Sequence, residues 1–233
     1  MRNLTAWIVA TLLAWGLPAH AQSQPVVVEL FTSQGCSSCP PADKFMHELA
    51  ARDDVIALAL HVDYWDYIGW KDKFASPRNT ARQKAYAVAA GRRSVYTPQM
   101  IIDGGDHVVG NHPMDVAELV RAHSERPRSV SLSVTRLGND RMRIELAPRG
   151  PVSGPMMVHL VRYRPEETVD ITRGENAGKR ISYANIVSEW TVLGEWDGAA
   201  PLRIEADIPG KMPTVVLVQK KGPGLIEAAA RLR

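Results

Sequence analysis

The chain has 233 residues, 45% hydrophobic and 23% charged, with a formal net charge of +3. Such a composition suits a globular protein with a real core. The charge excess is small and no dense Lys/Arg run occurs, which argues against a nucleic-acid partner.

The N-terminus, MRNLTAWIVATLLAWGLPAHAQSQ, reads as an export signal. Arg2 supplies the positive region, Leu4 to Leu17 is almost wholly apolar, and Ala19-His20-Ala21 places small residues where a signal peptidase cuts. The apolar run falls short of the roughly 20 residues a spanning helix needs. Residues 1–21 are therefore expected to be removed, leaving a secreted or periplasmic protein with no stable membrane anchor.

Beyond the signal, Gln24 to Phe31 (QPVVVELF) is a β-branched run that predicts a buried strand. Pro41 to Arg52 sets Phe45, Met46, Leu49 and Ala50 at helical spacing. Val55 to Val62 predicts a second buried strand. Ser76-Pro77 opens a helix, Ser as cap and Pro at its first position, that runs to Gly91. Met100 to Asp103 predicts a third strand, Asp103-Gly104-Gly105-Asp106 a hairpin turn, and His107 to Val109 the returning strand. Pro113 opens a third helix that fades at Glu125.

ERPRS (Glu125–Ser129) reads as a linker, after which the pattern turns to period two. Val130, Leu132 and Val134 alternate with polar residues, as do Met142, Ile144 and Leu146. Met157–Val161, Ala184–Leu193, Leu202–Ile208, Val215–Val218 and Leu225–Ala229 are further strand candidates, the last also readable as a short helix. The expectation is an α/β domain over residues 25–125, in the order β-α-β-α-β-β-α, followed over 129–233 by an antiparallel β-sandwich-like module.

Cys36 and Cys39 are the chain's two cysteines, and they fall between the first strand and the first helix. Outside the cytoplasm such a pair can form a disulfide that persists. As a staple it would be weak: closing a four-residue loop is worth about 2 kcal/mol, against roughly 4.7 for 100 residues. A close pair is better suited to exchange, one sulfur attacking a partner and the other resolving the mixed disulfide. Cys36, first in the motif and expected in an exposed loop, is the better attacker; Cys39 would resolve. Should the helix begin at Pro40, Cys36 would lie a turn outside it, and the helix dipole would help it less.

The element order, with CxxC at the strand-to-helix junction, resembles the thioredoxin fold. ELFTSQGCSSCPPAD, HVDYWDYIGWKD, YTPQ and GENAG together resemble a secreted, thioredoxin-like family known only as a domain of unknown function. The resemblance implies that Pro98 is a cis-proline facing the dithiol and that Thr97 offers backbone hydrogen bonds to a bound peptide. It also suggests that Glu29, an acid in an apolar strand, is buried and takes the proton of the resolving thiol; the alternative is that it faces water or a salt-bridge partner. CSSC replaces the usual CGPC, and Gly35 stands where thioredoxins carry tryptophan.

Tyr64 to Asp72 (YWDYIGWKD) follows the second strand. Its rings, Tyr64, Trp65 and Trp70 among them, could line a groove for an extended partner or close over the core as a lid. His61 and Asp63 read as local hydrogen-bonding residues.

The functional expectation is an exported thiol–disulfide oxidoreductase, its partners a protein thiol or disulfide and a redox protein, with no cofactor and no metal. Two other readings stay open. One is a copper or zinc module in which histidines such as His107 and His112 join the cysteines. The other is a binding or assembly protein whose dithiol is idle.

Overall fold

The structure, a computed structural model, describes residues 24–232, and the expected signal segment lies outside them. The first half runs β1 (Val26–Thr32), α1 (Pro40–Ala50), β2 (Val55–His61), α2 (Pro77–Ala89), β3 (Gln99–Ile102), β4 (Asp106–Val109) and α3 (Pro113–Ser124). All seven residues of β1 and all seven of β2 are buried. That explains their unbroken apolar character, because helices cover both faces. Val26, Val28 and Leu30 pack with Ala42, Met46 and Leu49 of α1 and Val116 and Val120 of α3. The alternate residues Val27 and Phe31 pack with Tyr86 of α2 on the other face.

Local signals set the element ends. Ser76 Oγ accepts from Arg78 N–H as the α2 cap. In the β3–β4 turn Asp103 has φ 47° and Gly104 φ 70°. Both are in the left-handed region, as the two central residues of a turn closed by Gly105 N–H donating to the Ile102 carbonyl.

The strands of the second half do not form one module of their own; they divide between two sheets. β5 (Val130–Leu137), β6 (Arg141–Pro148) and β9 (Leu202–Asp207) make a three-stranded sheet. β7 (Met156–Asp170), β8 (Arg180–Trp196), β10 (Thr214–Lys220) and β11 (Ile226–Arg231) instead extend the first sheet. Its order is β11-β10-β7-β8-β2-β1-β3-β4. The boundary drawn between residues 125 and 129 therefore does not divide the sheets. The join is a parallel bridge, Ala59 to Ile186, reinforced by Asn185 Nδ2 donating to the Ala57 carbonyl at 2.9 Å. The small sheet packs on the extension, with Met142, Ile144 and Leu146 against Val158, Val216 and Val218. The segment that could have been a short helix is strand β11.

β7 and β8 are also much longer than their apolar runs suggest. Beyond Arg162, where β10 stops pairing, they continue as a ribbon to Asp170 and Arg180. The ribbon packs Val169, Tyr183 and Ile186 against Phe74 and carries its tip toward the dithiol loop.

Candidate functional site

The site begins where β1 ends. Cys36 and Cys39 form a disulfide, with Cα atoms 5.4 Å apart. Cys36 N–H donates to the Ser33 carbonyl and Cys39 N–H to that of Cys36, so the loop is a run of tight turns feeding the helix. α1 starts at Pro40, with Cys39 as its N-cap. The Cys39 carbonyl accepts from Ala42 and Asp43 N–H at 2.9 and 3.0 Å. The helix dipole therefore falls on Cys39 more than on Cys36.

Cys36 is not in an exposed loop. Both cysteines have 0% exposure, and only Ser37 and Ser38 between them reach solvent. Two segments make the roof. The ribbon tip supplies Asn176, whose Nδ2 donates to the carbonyls of Gln34 and Cys36, each at 2.9 Å. Lys179 Nζ holds the Asn176 Oδ1, and Glu175 accepts from Ser37 N–H. The aromatic segment supplies Trp70, whose Nε1 donates to Gln34 Oε1, and Trp65, whose Nε1 donates to Thr97 Oγ1, both at 2.8 Å. A Cβ on Gly35 would lie 3.1 Å from the Trp65 Cβ. Glycine there lets the aromatic segment close over the loop.

Thr97-Pro98 is a cis peptide immediately before β3. Pro98 is close to the dithiol helix: a Cβ on Gly110 would lie 3.2 Å from Pro98 Cβ and 3.3 Å from that of Ala42, three residues past Cys39. Trp65 thus connects the start of the dithiol loop to Thr97. Tyr64 is half-buried and donates to Gln83 Oε1. Of the four rings in this segment only Tyr67, 81% exposed, stands free. The rest are spent on closing the site.

Glu29 is buried, but its carboxylate is committed elsewhere. Arg82 of α2 donates to it twice, at 2.6 and 2.9 Å, and the Tyr86 hydroxyl donates to it as well. Glu29 shares the α2 face with Val27 and Phe31, opposite the face on which α1 carries Cys39. Strand alternation sends residues 28, 30 and 32 toward α1 and residue 29 away. The salt-bridge alternative describes Glu29; the acid beneath the dithiol is another residue.

That acid is Asp43, four positions after Cys39 and so one helical turn along the same side. It is 2% exposed and accepts from the Thr32 hydroxyl at 2.7 Å. Burial pushes its carboxyl up to about 7, against the lowering pull of His61 and the Thr32 hydroxyl, with Asp72 adding to the rise. His61 pairs with Thr32 across the parallel β1–β2 ladder, so both side chains face α1. Its Nδ1 bonds Asp72 Oδ2 at 2.7 Å, and the same oxygen accepts from Gln34 N–H. Burial works hardest against Asp72, but His61 and the N–H groups of Gln34 and Phe74 together hold its carboxyl below the usual range. The Tyr183 ring stands edge-on to His61 at 5.0 Å. Sequence reading passed over Asp43 as one letter of a motif. The helical offset from Cys39 and the polar pair Thr32 and His61 at the strand ends were the available signals.

The metal arrangement is not assembled. His107 is engaged by Gln99 and His112 by Asp115, while the cysteines are bonded to each other. Among the described residues no group of three or more potential ligands converges, and no helix is long and apolar enough to cross a membrane.

Fold and site define an α/β protein with a roofed CxxC disulfide at the head of a helix. The chain belongs to the family described as "Protein of unknown function (DUF1223)", whose model matches residues 27–219. It is similar to a crystal structure of a protein from Agrobacterium tumefaciens, solved as a structural genomics target. That likeness has 36% identity and a TM-score of 0.77, and it covers 91% of this chain and 96% of the other. No curated protein matches.

Proposed function

We propose that this is an exported, thioredoxin-like thiol–disulfide oxidoreductase that exchanges the Cys36–Cys39 disulfide with protein thiols. The observation that carries the reading is the placement of the pair. It sits past the carboxyl ends of two parallel strands, at the head of α1, with Pro98 near the first turn of that helix and an acid one turn along it. Ligands and chemistry collect at this end of α/β sheets. The β-α-β-α-β-β-α order with CxxC after the first strand supports the thioredoxin-like reading.

In the reductive direction, a thiolate of a dithiol partner attacks Cys36 Sγ. The Cys36–Cys39 bond breaks and its electron pair passes to Cys39 Sγ, which takes the proton of the Asp43 carboxyl. The partner's second thiolate attacks its own sulfur in the mixed disulfide and releases Cys36 thiolate. The partner leaves oxidised and the CxxC pair reduced. The two thiol protons of the partner replace, through solvent, those taken up by Cys36 and Asp43. Thr97 and Pro98 would present backbone to the incoming chain once the Trp65 side of the roof has moved.

The complete burial of both sulfurs favours a second reading, a binding or assembly protein whose disulfide is idle. Equilibration against glutathione separates the two. A reversible midpoint supports exchange, near −120 mV for an oxidant and near −270 mV for a reductant. A disulfide that stays oxidised until the chain unfolds supports the idle reading.

A further inference from the structure

Beneath the dithiol lies a buried polar cluster that the exchange step above uses only through Asp43. His61 is 0% exposed, its Nδ1 is fixed by Asp72, and its ring is wedged edge-on between Phe74 and Tyr183. The opposite ring nitrogen, Nε2, is buried and has no hydrogen-bond partner among the described residues. The Tyr183 hydroxyl is in the same condition. Leaving a buried polar atom unpaired costs about 1–3 kcal/mol, and here two such atoms sit on rings in edge contact, their centroids 5.0 Å apart. An imidazole with one nitrogen held by a carboxylate and the other free is oriented to take and return a proton.

We propose that His61, oriented by Asp72, is a positioning residue of the dithiol reaction, acting through Asp43: its free Nε2, on the same face as that carboxyl, sets how readily Asp43 yields its proton to Cys39. The proposal rests on the exchange reading given above. Thr32 and His61 are neighbours across the β1–β2 ladder, and Thr32 already bonds Asp43, which places the His61 ring next to that carboxyl. The titratable and charged groups around Asp43 are His61 from β2, Asp72 from the segment after it and Tyr183 from β8. On α1 itself, His47 lies one turn on, bound to the Ser182 carbonyl, and Lys44 is exposed. Burial, followed by the charges of Asp43 and Asp72, drives the Tyr183 hydroxyl upward, so it stays protonated and can serve only as a neutral neighbour. His61 is then the basic partner in the cluster. When Cys39 takes the Asp43 proton, the proton that solvent returns to the cluster is divided between the Asp43 carboxylate and His61, and it goes back to solvent when Cys39 gives its proton up.

The test follows both groups in the oxidised, folded chain by NMR, reading the Asp43 carboxyl carbon and the His61 ring nitrogens against pH. Coupled groups titrate in shared steps. The expected result is that His61 and Asp43 signals bend at the same pH values. In His61→Gln, which keeps a donor for Asp72 but carries no charge, the Asp43 inflection should move up by about one pH unit. The rate of disulfide reduction, expressed per reductant thiolate, should move its inflection with it. Independent titration of the two groups, or an Asp43 inflection unmoved in His61→Gln, would overturn the proposal. If His61→Gln fails to fold, the wild-type spectra alone decide between shared and independent steps. Independent titration in a chain that exchanges normally with glutathione would sink the role of His61 only. Shared titration in a chain that never exchanges would sink the functional reading, and with it any role for His61 in a reaction.

Discussion

Asn176 hydrogen-bonds the backbone carbonyl of Cys36 across 140 positions of sequence, and the same amide holds the carbonyl of Gln34. The tip of the β7–β8 ribbon is thereby tied to the loop that carries the disulfide. Replacing Asn176 by Ala leaves two buried carbonyls without their donor, a cost of about 1–3 kcal/mol. Most of that cost falls on local opening of the roof rather than on the distant core. Asn176→Ala should therefore speed reduction of the disulfide by a small thiol by about tenfold, the equivalent of 1.4 kcal/mol. Stopped-flow reduction with dithiothreitol measures this. An unchanged rate in a folded variant would mean that the ribbon tip does not limit access.

Asp43 gives the stability a particular dependence on pH. Its carboxyl is pushed up to about 7 in the fold, chiefly through burial, against an ordinary value of 3.8. Between those values the folded chain keeps a proton that the unfolded chain releases, so stability from this group is whole below pH 4 and lost as pH rises to 7. The loss is on the order of 4 kcal/mol at 1.36 kcal/mol per pH unit. Asp43→Asn cannot ionise, so its urea-unfolding free energy should fall less than wild type between pH 4.5 and 8. Parallel profiles for the two chains would contradict the raised carboxyl.

Glu29 should matter for folding and not for exchange. Its carboxylate is fully buried in a two-point bond with Arg82, which also contacts Gln219 and lies 4.0 Å from the Trp190 ring centroid. Glu29→Ala strands a buried guanidinium and should cost about 3–5 kcal/mol. Glu29→Gln keeps an acceptor for Arg82 and should cost less. In whichever variant folds, the per-thiolate rate of disulfide exchange should match wild type. A rate that loses its dependence on pH in Glu29→Gln would return the proton-handling role to Glu29.

The elements up to Ser124 were legible because each carries its own local signal: a β-branched run closed by a turn, or a proline after a cap. The Cys36–Cys39 disulfide was legible by spacing alone. The roof was not. Arg164, Pro165 and Glu166 are exposed and break the alternation that marks a strand, since the ribbon there has solvent on one side and a single partner strand. Asn176 gives no periodic signal, because its role exists only once that ribbon reaches the loop. Nor could the continuity of the large sheet be read, as it turns on the single Ala59–Ile186 bridge between strands far apart in sequence. Glu29 was read as the buried acid serving the resolving thiol, or else as facing water or a salt-bridge partner; it is buried, and its carboxylate is held by Arg82. The strand's alternation could have placed it away from α1.

The most direct measurement is equilibrium of the purified oxidised protein with a series of glutathione buffers, thiols being trapped by alkylation while native fluorescence confirms that the chain stays folded. The account predicts a reversible transition of the Cys36–Cys39 pair within the folded state, and capture of a mixed disulfide through Cys36 when Cys39→Ala meets protein substrates. A pair that stays oxidised at every ratio short of unfolding, together with a Cys39→Ala chain that captures nothing, would contradict it.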